Sequence, residues 1–154
     1  MIDTRVTQAP YAEVLHYLNL SIRAEQIFCS IVTQMLYIPQ FQNQTSLKTV
    51  HRENYQTSYH RNTAAGNLIR LEGGDAQKIL VLMTIECFVE VRKHDKVAEA
   101  GLRQITASSA EDKSLLAVAF EWHSMRKRYL RAAARTLRST VGADVWQEGV
   151  QLAE

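Results

Sequence analysis

The sequence predicts an all-α protein, a single-domain bundle of about five helices, and three observations carry that expectation. Apolar residues recur at steps of three and four along most of the chain. Proline, glycine and capping residues punctuate it at helix-length intervals. The 154 residues, 46% hydrophobic and 22% charged, have the ordinary composition of one globular core, with no internal repeat or low-complexity segment. A domain of this size buries roughly 70% of the surface of its unfolded chain, so it needs neither disulfides nor metal to stay folded.

The first helix is expected over residues 10–37. Pro10 suits a first helical position and Pro39 forbids continuation. Within it Asn19, Arg23, Gln26, Ser30 and Gln34 draw a narrow polar stripe. Val14, Leu18, Cys29, Val32 and Leu36 flank it on one side, with Leu20, Ile27, Ile31 and Ile38 on the other. So wide an apolar surface predicts packing on two neighbours, or on one neighbour and a partner chain. Residues 40–45 read as a connection, and Thr45 or Ser46 is the expected cap of a second helix over 46–71. Its middle, residues 51–63, has no aliphatic side chain.

Gly73-Gly74-Asp75 reads as a stop and a start, opening a third helix over 75–93. Residues 79–91 are apolar nearly all round, as in the most buried helix of a bundle. Asp95 is expected to cap a separate fourth helix over 96–106. Ser108-Ser109-Ala110-Glu111 matches a capping box that opens a fifth helix over 110–141. Asp144 then caps a last short helical turn carrying Trp146. Residues 1–9 are expected to be a flexible N-terminus ahead of a single helical domain over 10–154.

Several function classes are disfavoured at once. The N-terminus lacks the apolar region of a secretory signal, and the longest apolar run, residues 79–85, is far short of the ~20 residues that span a bilayer. A cytoplasmic protein with no membrane partner is expected. Cys29 and Cys87 each sit inside an apolar helical stretch, as free core thiols do. No glycine-rich phosphate loop, H-E-x-x-H or His-x-x-x-His spacing occurs, so no cofactor or metal is expected. The chain offers one Glu-x-x-His unit, Glu13 to His16, where a di-metal bundle needs two.

Four constellations remain. Arg128, Arg131, Arg135 and Arg138 are spaced three, four and three, and form a stripe set to one side of Leu130, Ala134, Leu137 and Val141. That stripe fits a phosphate backbone or an acidic partner surface, and equally a solvated helix end favoured by the dipole. Arg126 instead projects towards the core and requires a counter-charge; Glu25, Glu86 and Glu90 are the available partners in a buried charge network that fixes helix register. Tyr55, Tyr59 and His60 suit an interface on the polar second helix. Glu86, Glu90 and His123 near Arg126 would be the ingredients of a charged enzyme site.

With no catalytic signature, the leading expectation is a non-enzymatic helical binding protein acting through helix–helix interfaces, self-association being its simplest form. A nucleic-acid-associated subunit using the arginine stripe is the alternative, and an enzyme centred on Arg126 comes third.

Overall fold

The computed structural model describes residues 10–75 and 77–154; the segment expected to be flexible, 1–9, lies outside the described residues. Four long helices carry the fold: α1 (Ala12–Leu36), α3 (Thr45–Glu72), α4 (Lys78–Gln104) and α5 (Ala110–Val141). A single turn, α2 (Pro39–Gln42), follows α1, and α6 (Ala143–Leu152) closes the chain. The described residues contain no strand.

Consecutive long helices run antiparallel. The Tyr11 amide at the start of α1 donates to Glu72 at the end of α3, and the Thr140 hydroxyl at the end of α5 reaches the Pro10 carbonyl. At the opposite end, the Gln44 side chain both donates to and accepts from the backbone of Thr106, tying two connections together. α1 packs against α3 and α5, and α3 against α4. By contrast α4 and α5 scarcely meet; α6 lies against α4 at one end of the opening between them.

Each long helix turns one seam inward at alternating steps of three and four, the spacing of left-handed bundle packing. On α1 the buried seam is Val14, Leu18, Ser21, Glu25, Phe28, Val32 and Met35. On α3 it is Leu47, Val50, Asn54, Thr57, Arg61, Ala64, Leu68 and Leu71. Two apolar clusters result. One joins Val14 and Leu18 to Leu68, Ile85, Phe88 and Leu137; the other joins Phe28, Val32 and Met35 to Phe41, Leu47 and Leu102. Between them the seams carry polar side chains at a single level, so the core is interrupted by a polar layer.

The expected polar stripe of α1 is exposed along its whole length, and the apolar flanks face the two neighbouring helices. That leaves Ile27 as the exposed large hydrophobic of α1.

Several boundaries differ from expectation. The third and fourth predicted helices are one, because Asp95 is not a cap: it is buried in mid-helix, where Arg61 holds its side chain. Asp75 likewise pairs with Arg70 at 2.6 Å while Gln77 takes the N-cap position of α4. α3 starts one residue early, with Gln44 preceding it and neither Thr45 nor Ser46 as its cap. The cap of α5 is Ser109, which accepts from the Asp112 amide at 3.1 Å, one residue on from the expected Ser108. Pro39 does not merely end α1 but opens α2, and the expected terminal turn is a ten-residue helix preceded by Gly142 at φ 92°.

Candidate functional site

The polar layer is built from one or two positions on each long helix. Arg61 of α3 is wholly buried and donates from all three nitrogens: Nε to Ser21 Oγ at 2.8 Å, one terminal nitrogen to Glu25, the other to Asp95 Oδ2 at 2.8 Å. Ser21 passes the contact on, donating to the Arg126 carbonyl at 2.9 Å. Arg126 of α5, equally buried, donates Nε to His123 Nδ1 at 3.1 Å and a terminal nitrogen to Asn54 Oδ1 at 3.0 Å. Its charge stands 3.8 Å from Glu25 and 3.5 Å from Asp95, and its guanidinium lies 4.2 Å over the Phe28 ring. Two guanidiniums thus face two carboxylates, as a buried charge must.

The protonation states follow from these contacts. Burial alone would raise the Asp95 carboxyl, but the guanidiniums of Arg61 and Arg126 outweigh it and hold it below the usual range. Burial pushes the His123 imidazole down to about 4, and the adjacent Arg126 charge adds to the effect. Neutral His123 is also what the hydrogen bonds require, since Nδ1 accepts from Arg126 while Nε2 donates to Glu99 at 3.2 Å.

In the unfolded chain this histidine titrates near 6.5, so as pH falls the unfolded state takes up its proton first. Stability is therefore expected to be complete above pH 6.5 and to fall between 6.5 and about 4. The loss is on the order of 3 kcal/mol. Urea midpoints across that window check it; the slope should flatten in His123→Gln, whose amide can accept and donate on the same two sides.

Of the expected network, Glu25 and Arg126 are present, whereas Glu86 and Glu90 are not. Those two lie half-buried on another side of α4, where Glu90 faces Lys93 and His94. Of the residues named for an enzyme site, Arg126 and His123 are brought together, whereas Glu86 and Glu90 lie apart from them. Burial holds both thiols high, Cys29 and Cys87 each at about 11, so neither is a thiolate nucleophile at neutral pH.

Sequence reasoning missed Arg61, Asp95, Asn54 and Ser21. Their signal was position: each sits on the three-and-four seam of its helix.

Beside the layer, the opening between α4 and α5 is a cleft of about 610 Å³, bounded at one end by α6. Phe88, Leu130, Ala134, Trp146 and Val150 give it an apolar floor; Arg92 and Lys96 of α4 and Lys127 and Arg131 of α5 stand around it. Lys127 is engaged with Glu99 at 2.5 Å, and its hydrogen bond lowers the Glu99 carboxyl from its usual range. Arg92, Lys96 and Arg131 are exposed and make no ion pair among the described residues. The arginine stripe adjoins the cleft: Arg128, Arg131, Arg135 and Arg138 are all exposed, and Arg131 belongs to both. Tyr55 and Tyr59 are exposed on α3, whereas His60 is half-buried with its ring stacked on His94.

Compared with known proteins, the chain matches no protein family, no curated relative and no solved structure. No helix among the described residues is long and apolar enough to cross a membrane.

Proposed function

We propose that this is a non-enzymatic binding protein that receives an acidic amphipathic helix of a partner protein in the cleft between α4 and α5. The supporting observation is the open fourth side of the bundle, an apolar floor whose walls carry Arg92, Lys96 and Arg131, exposed and without an ion pair among the described residues, besides the Lys127–Glu99 pair. An amphipathic helix laid in such a groove buries its apolar face and aims its carboxylates at Arg92, Lys96 and Arg131. α6 already lies as a helix at one end of this opening, presenting Trp146 and Val150 to it.

A photo-crosslinking residue at Val89, inside the cleft, tests the reading in the native host against the same residue at Val118, exposed on α5. The expected adduct is a protein joined at an acidic helical segment, formed from position 89 alone. Lys96→Glu with Arg131→Glu should weaken capture by roughly 10–100-fold, because two weak exposed attractions become repulsions. Adducts formed equally from both positions, or unchanged by the double reversal, would overturn it.

The second reading lays the arginine stripe along a phosphate backbone. It is favoured by one observation: four exposed guanidiniums on one helix face spanning ~15 Å. Nuclease-sensitive capture, with affinity for a short duplex falling steeply with salt, would select it over the helix-binding reading.

A further inference from the structure

On the far side of α4 from the cleft, where α3 and α4 meet, two imidazoles and two carboxylates converge. His94 Nδ1 lies 2.5 Å from Glu53 Oε2. An ionised carboxylate only accepts, so Nδ1 carries the hydrogen and Nε2 keeps the lone pair. That Nε2 faces Glu90 Oε2 at 3.9 Å, too far for a hydrogen bond. His60 reaches over from α3 and stacks on His94, rings 5.7 Å apart and 13° from parallel. One donor atom from each of His60, Glu90 and His94 lies within 4.8 Å of the other two, and all three residues are half-buried.

We propose that His60, Glu90 and His94 form a binding site for a divalent first-row transition ion of the Zn²⁺ type, with Glu53 as the positioning residue behind His94. Ligands bonded to one such ion at roughly 2.0–2.2 Å lie no more than ~4.4 Å apart, so small side-chain rotations close the set. Two imidazoles with one carboxylate select Zn²⁺ and its neighbours over Mg²⁺ and Ca²⁺, which take oxygen ligands. The Glu53 contact is the carboxylate–histidine arrangement that fixes the tautomer and orientation of a ligating imidazole.

The surrounding charge favours a cation. Glu53, Glu86 and Glu90 surround the pair of rings, opposed by Arg52 at 3.8 Å from Glu53 and Lys93 at 3.3 Å from Glu90. Lys93 has a second acceptor in the Ala153 carbonyl at 2.5 Å, so an ion can take its place on Glu90. Three protein ligands leave at least one coordination position for water or another small donor.

The test titrates the full chain, stripped with chelator and free of any histidine tag, with Co²⁺ and then Zn²⁺. Visible Co²⁺ bands saturating at one ion per chain and displaced by Zn²⁺ are expected, together with a rise in Tm on Zn²⁺ addition. His94→Ala and His60→Gln should each abolish the bands while metal-free helicity is retained. Glu53→Gln should weaken Co²⁺ by about 10–100-fold with the bands otherwise unchanged. If His94→Ala fails to fold, His60→Gln and Glu90→Gln carry the same test. Absence of bands, their persistence in the His60/His94 double variant, thiolate charge-transfer bands from Cys29 or Cys87, or equal displacement by Mg²⁺ would each overturn the proposal.

Discussion

Arg61→Ala is expected to cost about 3–5 kcal/mol of folding free energy, a large share of what a domain of this size has. The cost does not arise from losing attractive bonds alone. Removing this guanidinium leaves the carboxylates of Glu25 and Asp95 facing each other in the core, with Arg126 as the one remaining cation between them. It also takes the donor from Ser21 and opens a hole the size of a whole arginine side chain. Arg61→Lys separates charge from geometry. A lysine keeps the positive charge but cannot send three donors along the three directions to Ser21, Glu25 and Asp95. Its loss should be smaller than that of alanine and still clear. Urea unfolding followed by circular dichroism measures both; an alanine variant within 1 kcal/mol of the wild type would mean that water replaces the guanidinium and the layer is not sealed.

Such a layer makes sense of how far the sequence could be read. Helix content, the approximate spans of α1, α3 and α5 and the inward face of α5 were legible because they depend on local periodicity and breakers. The 51–63 stretch looked anomalous because it lacks aliphatics, but its buried residues Asn54, Thr57 and Arg61 continue the seam of Leu47 and Val50 into that of Ala64, Leu68 and Leu71. Read as a seam rather than as a composition, the same residues place polar side chains in the core. The false break at Asp95 has the same origin. An aspartate between charged neighbours looks like a cap until a cation on another helix is known to reach it, and Arg61 lies 34 residues away. Pairings across helices are set by the level at which each seam crosses the bundle, which depends on connection lengths and register. Glu86 and Glu90 show the converse. Their one-turn spacing was visible, but which helix they face was not, and Glu90 turns towards His94 at the α3–α4 junction instead of Arg126.

Gly149→Ala should dislodge α6. A Cβ at this position would lie 2.5 Å from both Cβ and Cγ2 of Ile85, and Ile85 Cβ is fixed to the backbone of α4 and cannot rotate away. The helix must therefore lift off α4, straining the packing of Trp146 and Val150 and the Lys78–Glu148 pair at 3.1 Å. Overpacking of this kind costs about 1–3 kcal/mol. Because α6 contributes little to the rest of the core, relief should come by local undocking and not by global unfolding. Gly66→Ala is the control: that glycine is exposed within α3 with nothing within 4 Å of an added Cβ, so removing its backbone freedom should stabilise the protein. The gain there is about 0.5–1 kcal/mol. In a Trp122→Phe background Trp146 is the sole tryptophan, and its emission should shift to the red in Gly149→Ala while the helicity of the four long helices persists. Unshifted emission with an unchanged unfolding midpoint would show that α6 is not seated as closely as Ile85 and Gly149 place it. Undocking would also lengthen the groove between α4 and α5. If a partner helix competes with α6 for that floor, Gly149→Ala should bind it more tightly; if α6 forms part of the seat through Trp146 and Val150, binding should weaken.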